Sequence, residues 1–445
     1  MKKKLIILGG GESGVGAALL GKQKGYDVLL FDESSLKDGY RNELINAEVN
    51  FWEKEISDEE LLSADEVVKS PGIPEKNEKV KKVRSRGIPV ISEIELAYRY
   101  KGDSTIIAIT GSNGKSTTTS LIYHMCKLAG LDAALVGNIG YSFAKQIAED
   151  PKPVYVAEIS SFQLDDIKDF RPDVAVLLNI TEDHLDRYDY KFENYINSKF
   201  LITRNQTSKD FFIYNIDDEV ITGYLKRNQI QSNQLPISMK KEVEKGAYIK
   251  NDEMHVQAGG EKTSMSVYDF ALKGKHNQYN TMAACVAGAT MDIRKDKIRE
   301  AVQTFESLEH RMEPVATVRG VEFINDSKAT NVNSTWFALE SINKPTILIL
   351  GGIDKGNDYS FIMDLVKEKV KAIVCLGVDN KNIHDAFAGH VKMVDTASAE
   401  EAVQAAFHLA TVGDVVLLSP ACASFDLFKN YEDRGTQFKN AVRDL

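Results

Sequence analysis

Short apolar runs alternate with amphipathic, more polar stretches along the whole chain. Near the N-terminus, residues 5–8 and 27–31 read as strands, and residues 15–24 between them read as a helix. Strands of a parallel sheet are buried on both faces, so they appear as continuous apolar runs separated by helices. The pattern therefore predicts a Rossmann-like α/β domain in the first part of the chain.

The same alternation returns twice. In the middle of the chain, apolar runs of strand length lie at residues 106–110, 154–159, 174–179 and 211–215. Short alternating segments over residues 246–272 predict β-hairpins instead, and residues 283–291 read as a helix rich in small residues. In the last third, strands are predicted at residues 322–325, 346–350, 372–376 and 415–418, with helices between them.

Composition narrows the class of protein. The 445 residues include 55 basic and 65 acidic side chains, and the formal net charge of −10 argues against nucleic acid or an anionic membrane as a partner. The four cysteines form no Cys-x-x-Cys pair, so we predict neither a disulfide framework nor a zinc site. No apolar stretch is long enough for a transmembrane helix or a signal peptide. We expect a cytoplasmic protein without membrane insertion, and a monomer.

The most informative motif is the glycine-rich turn at residues 110–117, Thr-Gly-Ser-Asn-Gly-Lys-Ser-Thr. It follows an apolar strand and opens a helix predicted over residues 118–128, so backbone N–H groups and a helix N-terminus surround the turn. Lys115 can reach the terminal phosphates of a nucleotide, and the Ser116 hydroxyl can bind Mg²⁺. The first glycine of the general P-loop pattern would fall at Ile109, so the match is incomplete. We still predict a central P-loop ATPase-type α/β domain with a small extra β-sheet, rather than an ordinary turn.

A second glycine-rich turn lies at the N-terminus, where Gly9, Gly11 and Gly14 form a G-x-G-x-x-G pattern. Asp32 follows at about the distance expected of the ribose-binding acid in a dinucleotide site. A nicotinamide-dependent oxidoreductase is therefore the rival hypothesis, although this turn serves any phosphate at the head of a βαβ unit. Residues 70–74, Ser-Pro-Gly-Ile-Pro, form either a rigid ligand-binding loop at a strand end or a plain connector.

Polar residues follow two predicted strands of the central region. Glu158 lies near the end of the run at residues 154–159, where a carboxylate can complete the shell of a Mg²⁺ ion begun by Ser116. His184 follows the run at residues 174–179 and is either a metal ligand or a capping residue.

These motifs occur in order with several others, at residues 158–161, 179–180, 184–186, 199, 274–277, 309–311 and 325–331. In this order they resemble the Mur ligases, which build the peptide stem of peptidoglycan by ATP-dependent amide formation. The resemblance runs the whole length of the chain and includes three domains, predicted here at residues 1–101, 102–307 and 308–445. Their expected roles are UDP-substrate binding, ATP binding and amino-acid binding, the last in a Rossmann-like C-terminal domain.

Residues 419–426, 428–431 and 434–435 resemble the D-glutamate-adding members of the family, and the D-N-P-R motif of members that add diaminopimelate or lysine is absent. The resemblance therefore implies ligation of D-glutamate to UDP-N-acetylmuramoyl-L-alanine. ATP would first phosphorylate the alanyl carboxylate to an acyl phosphate, which the amine of D-glutamate then attacks. Because each step brings anionic oxygens together, the site must neutralise negative charge.

The resemblance also implies the cofactors and the catalytic residues. ATP and two Mg²⁺ ions are expected, together with a carbamylated Lys199. The catalytic residues would be Lys115, His184, Lys199 and Asn138, and the metal ligands Ser116, Glu158, His184 and Lys199. The expected ATP contacts are Gly111, Ser112, Asn113, Gly114, Lys115, Ser116, Thr117, Asn277, Arg311 and Asp326.

Two substrate pockets follow from the same resemblance. The UDP moiety would lie near Gly11, Glu12, Ser13, Asp32, Glu33, Ser70, Pro71 and Gly72, and the muramoyl part near Asn138. Asp32 and Glu33 are a poor cradle for a diphosphate, so we expect them to accept hydrogen bonds from uracil or ribose. The D-glutamate pocket would comprise Lys328, Thr330, Lys355, Ser424 and Phe425.

Other functions stay open at this point. Another Mur-type ligase or a folylpolyglutamate-type ligase would share the ATP-binding core, although the latter lacks a glycine-rich N-terminal domain of this kind. The nicotinamide-dependent oxidoreductase would require a hydride-transfer site and would have no use for Lys115.

Overall fold

The computed structural model describes residues 2–306, 309–354 and 356–445. These residues form two compact units. One runs to Ala271 and resumes over Asn277–Phe305, and the other comprises Leu272–His276 and the described residues from Glu306 onward. The first unit contains two β-sheets and the second contains one. No helix in the described part of the chain is long and apolar enough to cross a membrane.

The first sheet is parallel and lies at the N-terminus. Its strands are β1 (Lys4–Leu8), β2 (Asp27–Asp32), β3 (Asn50–Glu53), β4 (Glu66–Lys69) and β5 (Val90–Ile91). They pair in the order β3-β2-β1-β4-β5, so the direction of strand addition reverses between β1 and β4. Ligands of open α/β sheets bind at such a reversal. The helices are α1 (Glu12–Gln23), α2 (Asp38–Asn46), α3 (Asp58–Leu62), α4 (Glu78–Ser85) and α5 (Glu93–Tyr98).

The second sheet has nine strands. They are β6 (Thr105–Thr110), β7 (Ala133–Gly137), β8 (Val154–Glu158), β9 (Val174–Leu177), β10 (Phe211–Asn215), β11 (Asn233–Ser238), β12 (Gly246–Lys250), β13 (Glu253–Ala258) and β14 (Glu261–Ser266). Their order is β14-β13-β12-β11-β10-β9-β6-β8-β7, parallel except for the antiparallel hairpins β12-β13-β14. Because β6 lies between β8 and β9, the ends of these strands meet at the turn after β6.

Seven helices accompany this sheet: α6 (Lys115–Leu128), α7 (Phe143–Glu149), α8 (Ser161–Leu164), α9 (Phe192–Phe200), α10 (Glu219–Arg227), α11 (Lys275–Thr290) and α12 (Lys295–Thr304). Short 3₁₀ turns lie at Leu185–Arg187, Leu201–Thr203 and Val267–Asp269.

The third sheet belongs to the second unit. Its strands are β15 (Glu313–Val318), β16 (Val321–Asn325), β17 (Thr346–Gly351), β18 (Val370–Leu376), β19 (Lys392–Thr396) and β20 (Val415–Ala421), in the order β15-β16-β20-β17-β18-β19. Strand β15 runs antiparallel to its neighbour β16, and the other strand pairs of this sheet are parallel. The helices are α13 (Val332–Ser341), α14 (Met363–Lys369), α15 (Lys381–Phe387), α16 (Ala399–Leu409) and α17 (Tyr431–Arg443), with a 3₁₀ turn at Tyr359–Ile362.

The predicted fold class is confirmed, and the apolar runs predicted as strands are strands. Several boundaries were wrong, because helices begin earlier than predicted: α1 at Glu12, α6 at Lys115 and α11 at Lys275. The first turns of these helices are polar and carry no apolar periodicity, so the pattern of apolar residues cannot locate them. β9 ends at Leu177, two residues before the end of the predicted run at 174–179.

Buried carboxylates on α5 fasten the first sheet to the second within the first unit. Glu93 Oε1 accepts hydrogen bonds from Ser142 Oγ and the Ala144 N–H, both at 2.6 Å. Glu95 Oε2 accepts three backbone N–H groups, from residues 168–170, at 2.8 to 2.9 Å. Both glutamates are fully buried. Such hydrogen bonds compensate the burial of polar groups and fix the two sheets relative to each other.

Candidate active site

The turn between β6 and α6 is shaped by two glycines with positive φ. Gly111 has φ of 152° and Gly114 has φ of 83°, a region that disfavours residues with a Cβ atom. At Gly114 a Cβ would also lie only 2.3 Å from Asn280 Oδ1. Asn280 in turn donates to Asn277 Oδ1 at 3.1 Å. The structure thus brings Asn277, one of the predicted ATP contacts, to this glycine-rich turn.

The tip of this turn is clamped by Asn179, which follows β9. Its Oδ1 accepts the Asn113 N–H at 2.8 Å, and its Nδ2 donates to the Asn113 carbonyl at 3.0 Å. Ser112 Oγ makes a similar pair with the backbone of Thr181, at 2.9 Å in each direction. Asn179 was not among the predicted site residues, although its position directly after a central strand was a signal.

Two lysine amines converge on one carbonyl at the start of the turn. Lys115 Nζ donates to the Gly111 carbonyl at 2.8 Å and to the Ser112 carbonyl at 2.9 Å. Lys199 Nζ, from α9, donates to the same Gly111 carbonyl at 2.9 Å. The sequence places these residues far apart, and the fold makes them neighbours. The turn therefore gathers side-chain N–H donors, which suit anionic oxygens.

Lys199 is almost completely buried, with 1 % of its surface exposed. Burial, and secondarily the nearby charge of Lys115, lowers its pKa well below the usual value for lysine. Its Nζ lies 4.6 Å from the centre of the Tyr195 ring. A lysine in this setting has an accessible neutral form with a lone pair, as the prediction of a chemically modified Lys199 requires.

A buried carboxylate lies at the end of the neighbouring strand β8. Glu158 Oε1 accepts a hydrogen bond from Asn138 Nδ2 at 2.8 Å, and the Asn138 N–H donates to the Glu158 carbonyl at 2.9 Å. Glu158 Oε2 is buried and has no hydrogen-bond partner among the described residues. An uncompensated buried oxygen of this kind is unfavourable unless a cation binds it. The predicted pairing of Glu158 with a metal thus fits the local geometry.

His184 directly precedes the 3₁₀ turn at Leu185–Arg187, in the N-cap position, with φ of 53°. Its side chain makes no capping hydrogen bond to that turn. The imidazole is half-exposed, lies edge-on to Phe162 with ring centres 5.1 Å apart, and has Nε2 3.6 Å from Asp183 Oδ2. Its role as a metal ligand stays a prediction.

Side chains of the first sheet hydrogen-bond the loops that border its crevice. Asp32 Oδ2 accepts the Gly10 N–H at 2.6 Å, and Asp32 Oδ1 accepts the Ser34 N–H at 2.7 Å. Ser70 Oγ donates to the Gly9 carbonyl at 3.2 Å, joining the loops after β1 and β4. Both loops thus meet where the strand order reverses, as the assignment to a substrate crevice requires.

Other predicted residues of this crevice have different neighbours. Glu12 opens α1, and its Oε1 accepts the Ser142 N–H at 3.3 Å. Glu33 accepts from Lys79 Nζ at 2.9 Å in an exposed ion pair, which lowers the pKa of Glu33. Ser13 lies in the first turn of α1, and Gly11 directly precedes that helix. Their predicted contacts with UDP remain predictions.

The loop at Pro71 and Gly72 is held from the second sheet by Arg187. Its guanidinium donates to the carbonyls of Pro71, Gly72 and Ile73 at 3.0, 3.3 and 3.2 Å. It also lies 4.3 Å from the centre of the Phe162 ring. No pattern in the sequence singled out Arg187, because its contact depends on the packing of the two sheets.

In the second unit, Asp326 follows β16 and is buried. Ser419 Oγ donates to its Oδ2 at 2.9 Å, and the Met312 N–H donates to its Oδ1 at 3.1 Å. Burial raises the pKa of Asp326 to about 6, although the nearby charge of Arg311 opposes the shift. Arg311 Nε is buried and has no hydrogen-bond partner among the described residues. These two predicted nucleotide contacts are therefore electrostatic neighbours.

The predicted D-glutamate pocket is only partly described, since Lys355 lies outside the described residues. Ser424 is buried, Thr330 is half-buried, and Phe425 is 68 % exposed. Lys328 Nζ lies 5.4 Å from the centre of the Tyr431 ring.

Arg434 organises this region, a role that the sequence had not assigned. Its buried guanidinium donates to Ser327 Oγ at 3.0 Å and to the Ser327 carbonyl at 2.8 Å. It also reaches the carbonyls of Cys422 at 3.2 Å and Gly351 at 3.4 Å. One side chain thus joins the ends of β16, β17 and β20.

Comparison with known proteins finds matches to the Mur ligase family along the whole chain. Residues 3–92 match the Mur ligase MurD-like N-terminal domain, residues 109–288 the Mur ligase middle domain, and residues 310–422 the Mur ligase glutamate ligase domain. Proteins from Christiangramia forsetii and Bacteroides fragilis, both named UDP-N-acetylmuramoylalanine--D-glutamate ligase, are 52 % identical over 446 residues and cover 100 % of both chains.

Solved structures show the same fold at low identity. UDP-N-acetylmuramate-alanine ligase MurC from Thermotoga maritima aligns with a TM-score of 0.62 at 17 % identity, covering 100 % of each chain. A pseudomurein peptide ligase type C from Methanothermus fervidus gives the same values. The MurF ligase from Thermotoga maritima, solved in complex with ADP, aligns at 0.62 with 14 % identity over 94 % of this chain and 95 % of its own.

Proposed function

This chain belongs to the Mur ligase family, and on that premise we propose that it joins D-glutamate to UDP-N-acetylmuramoyl-L-alanine in peptidoglycan synthesis, with ATP as the energy source. The observation that carries this function is the full-length match, at 52 % identity, to proteins that bear the name of this ligase. The site in the second sheet fits the chemistry, because it gathers cationic and metal-binding groups around a phosphate-binding turn.

Members of this family use ATP with Mg²⁺, and the residues present fit such an ion. The buried Glu158 Oε2, which lacks a hydrogen-bond partner among the described residues, is a hard oxygen ligand of the kind Mg²⁺ prefers. Ser116, at the start of α6, would share that ion, and His184 with a modified Lys199 would hold a second. Mg²⁺ bound there would neutralise charge on the phosphates and on the carboxylate that receives the phosphoryl group.

The chain's own groups orient the reactants for the first step. A carboxylate oxygen of the alanyl group attacks the γ-phosphorus of ATP, the bond to the β,γ-bridging oxygen breaks, and ADP leaves. The N–H groups of the turn and the start of α6 would surround the phosphates, and Lys115 would move from its carbonyl partners to the transferring phosphoryl group. Asn138, held against Glu158, would position the muramoyl substrate.

In the second step, the amine of D-glutamate attacks the carbonyl carbon of the acyl phosphate. The carbon–oxygen bond then breaks, inorganic phosphate leaves, and the nitrogen loses a proton. Recognition of the two carboxylates of D-glutamate needs cationic and hydroxyl donors, which Lys328, Thr330, Lys355 and Ser424 would supply. Arg434 would keep the strand ends that carry this pocket in register.

We further propose that Lys199 is carbamylated. Its buried amine, with a pKa well below the usual value for lysine, would attack the carbon of CO₂ and lose a proton to give a carbamate. The product is an anion on a long side chain, which would replace an uncompensated amine beside Lys115 with a metal ligand.

Several finer assignments belong to the same proposal. Arg311 and Asp326 would contact the nucleotide, the latter through its ribose, and Gly11, Glu12, Ser13, Asp32, Glu33 and residues 70–72 would contact UDP. The four cysteines are free and buried, which fits a reducing compartment such as the cytoplasm. We propose that the enzyme works as a monomer.

The function is tested by incubating the purified protein with ATP, Mg²⁺ and UDP-N-acetylmuramoyl-L-alanine, and with one of D-glutamate, L-glutamate, L-lysine or diaminopimelate. Mass spectrometry of the nucleotide-linked product should show addition of D-glutamate. L-Lysine, which lacks the second carboxylate, should be rejected by a factor on the order of 10⁴, since buried donors left without a partner are costly. L-Glutamate and diaminopimelate, which present their two carboxylates in a different geometry, should also be rejected. Comparable turnover with lysine or diaminopimelate would assign the chain to another Mur-type ligase.

The oxidoreductase alternative is tested with the same preparation. The first glycine-rich turn motivates it, but Asp32 already occupies the Gly10 N–H that a dinucleotide phosphate would need. No binding of nicotinamide dinucleotide is expected in calorimetry. Saturable micromolar binding of such a cofactor would revive that hypothesis.

A further inference from the structure

Three side chains with metal-binding atoms converge at one edge of the third sheet, and the proposed reaction uses none of them. Cys375 lies near the end of β18, Asp395 lies in β19, and His384 lies in α15. Cys375 and Asp395 are register partners in adjacent parallel strands. The sulfur, one imidazole nitrogen and one carboxylate oxygen all lie within 4.8 Å of one another.

The imidazole and the carboxylate are already oriented. His384 Nε2 lies 3.0 Å from both Asp395 Oδ1 and Asp395 Oδ2. Asn380 Nδ2 donates to Asp395 Oδ1 at 2.9 Å and to the Gly377 carbonyl at 3.2 Å. Neighbours that hydrogen-bond a ligand in this way are typical of protein metal sites, because they fix its orientation.

The three groups span the boundary between core and solvent. Cys375 is fully buried, whereas the side chains of His384 and Asp395 are 40 % and 59 % exposed. A cleft of about 440 Å³, lined by residues that include His384 and Asp395, opens beside them. An ion bound by the three donors would therefore retain one position open to water.

The donor types select the class of cation. Thiolate and imidazole suit Zn²⁺ and related ions, whereas Mg²⁺ and Ca²⁺ require oxygen ligands. With Zn–S of about 2.3 Å and Zn–N and Zn–O of about 2.0 Å, tetrahedral donors lie roughly 3.3 to 3.6 Å apart. The donors now lie within 4.8 Å of one another, so binding of the ion requires side-chain rotation to shorten these separations.

We propose that Cys375, His384 and Asp395 form a binding site for one thiophilic divalent cation of the Zn²⁺ class, with water as the fourth ligand. The site ties the edge strand β19 to β18 and α15. An exposed His–Asp ion pair alone would stabilise this edge very little. We predicted no zinc site from the sequence, because it contains no Cys-x-x-Cys pair. A search for closely spaced cysteines does not detect ligands that strand register and a helix bring together.

Cobalt titration of the full-length, chelator-treated protein tests the site, with millimolar Mg²⁺ present to saturate Mg²⁺ sites elsewhere. Co²⁺ should give a thiolate-to-cobalt charge-transfer band and the visible bands of a tetrahedral ion, saturating at one ion per chain. Cys375→Ser should abolish the charge-transfer band. Asp395→Asn, at a mostly exposed side chain that leaves the core intact, should weaken binding by more than roughly tenfold.

Cys285→Ser is the matched control, since Cys285 is equally buried but lies in α11. It should leave the band unchanged. Equilibrium dialysis with Zn²⁺ should give one ion bound to the wild type and to Cys285→Ser, and less to Asp395→Asn. Absence of a thiolate band in the wild type, or unaltered binding in both Cys375→Ser and Asp395→Asn, would overturn the assignment.

Discussion

The two glycine-rich corners of the first unit share a strand–turn–helix arrangement but have opposite chemistry. Each follows a strand that pairs in parallel on both sides and opens a helix, α1 or α6. At the first corner, Asp32 accepts the Gly10 N–H, and Glu12 begins the helix. At the second, Lys115 begins the helix, and the Lys199 amine lies within hydrogen-bond distance of the turn.

A glycine-rich turn before a helix is therefore not sufficient to form a phosphate-binding site. Backbone N–H groups and a helix N-terminus attract anions at both corners. At the first corner, a carboxylate of the protein itself takes that place and would repel a phosphate. At the second corner, two lysine amines and a buried carboxylate with an unpartnered oxygen among the described residues lie at the turn, as the proposed ATP site requires. The acids at 32–33 therefore fit contacts with hydroxyl or N–H groups of a nucleotide better than contacts with its phosphates.

The largest effect is expected from removing the cation of the second corner. Lys115→Ala should lower kcat by about 10³ or more, since a donor aimed at developing phosphoryl charge is lost. Steady-state kinetics measure this. Lys127→Ala, at the exposed far end of the same helix, is the matched control and should remain near wild type. Equal effects of both substitutions would show that helix stability, rather than charge at the turn, matters.

A second large effect is expected at Lys199, where carbamylation requires a neutral amine. Lys199→Ala should bind ATP yet lose most activity, by about 10² or more, and a short-chain carboxylate should restore part of it. Lys199→Arg keeps the charge but cannot form the carbamate, so it should stay inactive. Near-normal activity of Lys199→Arg, or an unmodified amine in the active enzyme by mass spectrometry, would exclude the modification.

Near the first corner, burial shifts the pKa of a carboxyl group, whereas at the second corner it shifts the pKa of an amine. Burial raises the pKa of Glu93 to about 7, with a further contribution from Glu12. Because the folded pKa exceeds the unfolded value of about 4.3, the contribution to stability is complete below pH 4 to 5 and is lost as pH rises through 7.

Glu93→Gln mimics the protonated form, so it should stabilise the protein at pH 8 by on the order of 2 to 3 kcal/mol and flatten this pH dependence. Denaturant unfolding at several pH values measures both effects. Glu95→Gln, two residues along α5, should instead destabilise, because three backbone N–H groups lose their charged acceptor. A steeper pH dependence in Glu93→Gln would contradict the assignment.

The smallest effect on the use of ATP is expected from a substitution at the first corner itself. Asp32→Asn keeps an oxygen for the Gly10 N–H and removes the charge. It should raise KM for the UDP-linked substrate several-fold, or about 1 kcal/mol for one hydrogen bond, and leave KM for ATP unchanged. An altered KM for ATP alone would mean that the roles of the two corners are assigned the wrong way round.

Much of the fold is readable from the sequence, because buried parallel strands are continuous apolar runs. The strand predicted at residues 211–215 is β10, Phe211–Asn215, without any shift. The edge strands β3 and β19 escaped prediction, since both are short and half-exposed and carry no such run. The first helical turn of α6 was not predicted as helix, because its residues belong to the glycine-rich motif rather than to an apolar helix face.

The candidate site divides in the same way. Lys115 and Glu158 carry local signals, a glycine-rich motif and a strand end. By contrast, the contacts of Arg187 with the loop at residues 71–73 and the burial of Arg434 depend on segments distant in sequence. No local pattern encodes such contacts, so they become visible only in the folded chain.

The central claim, that the second corner directs ATP to a carboxylate, is tested most directly by isotope transfer. The alanyl carboxylate of UDP-N-acetylmuramoyl-L-alanine is labelled with ¹⁸O, and the reaction is run with ATP, Mg²⁺ and D-glutamate. An acyl phosphate intermediate transfers one labelled oxygen to each inorganic phosphate released, which mass spectrometry detects. Unlabelled phosphate, formed together with the D-glutamate product, would contradict the account.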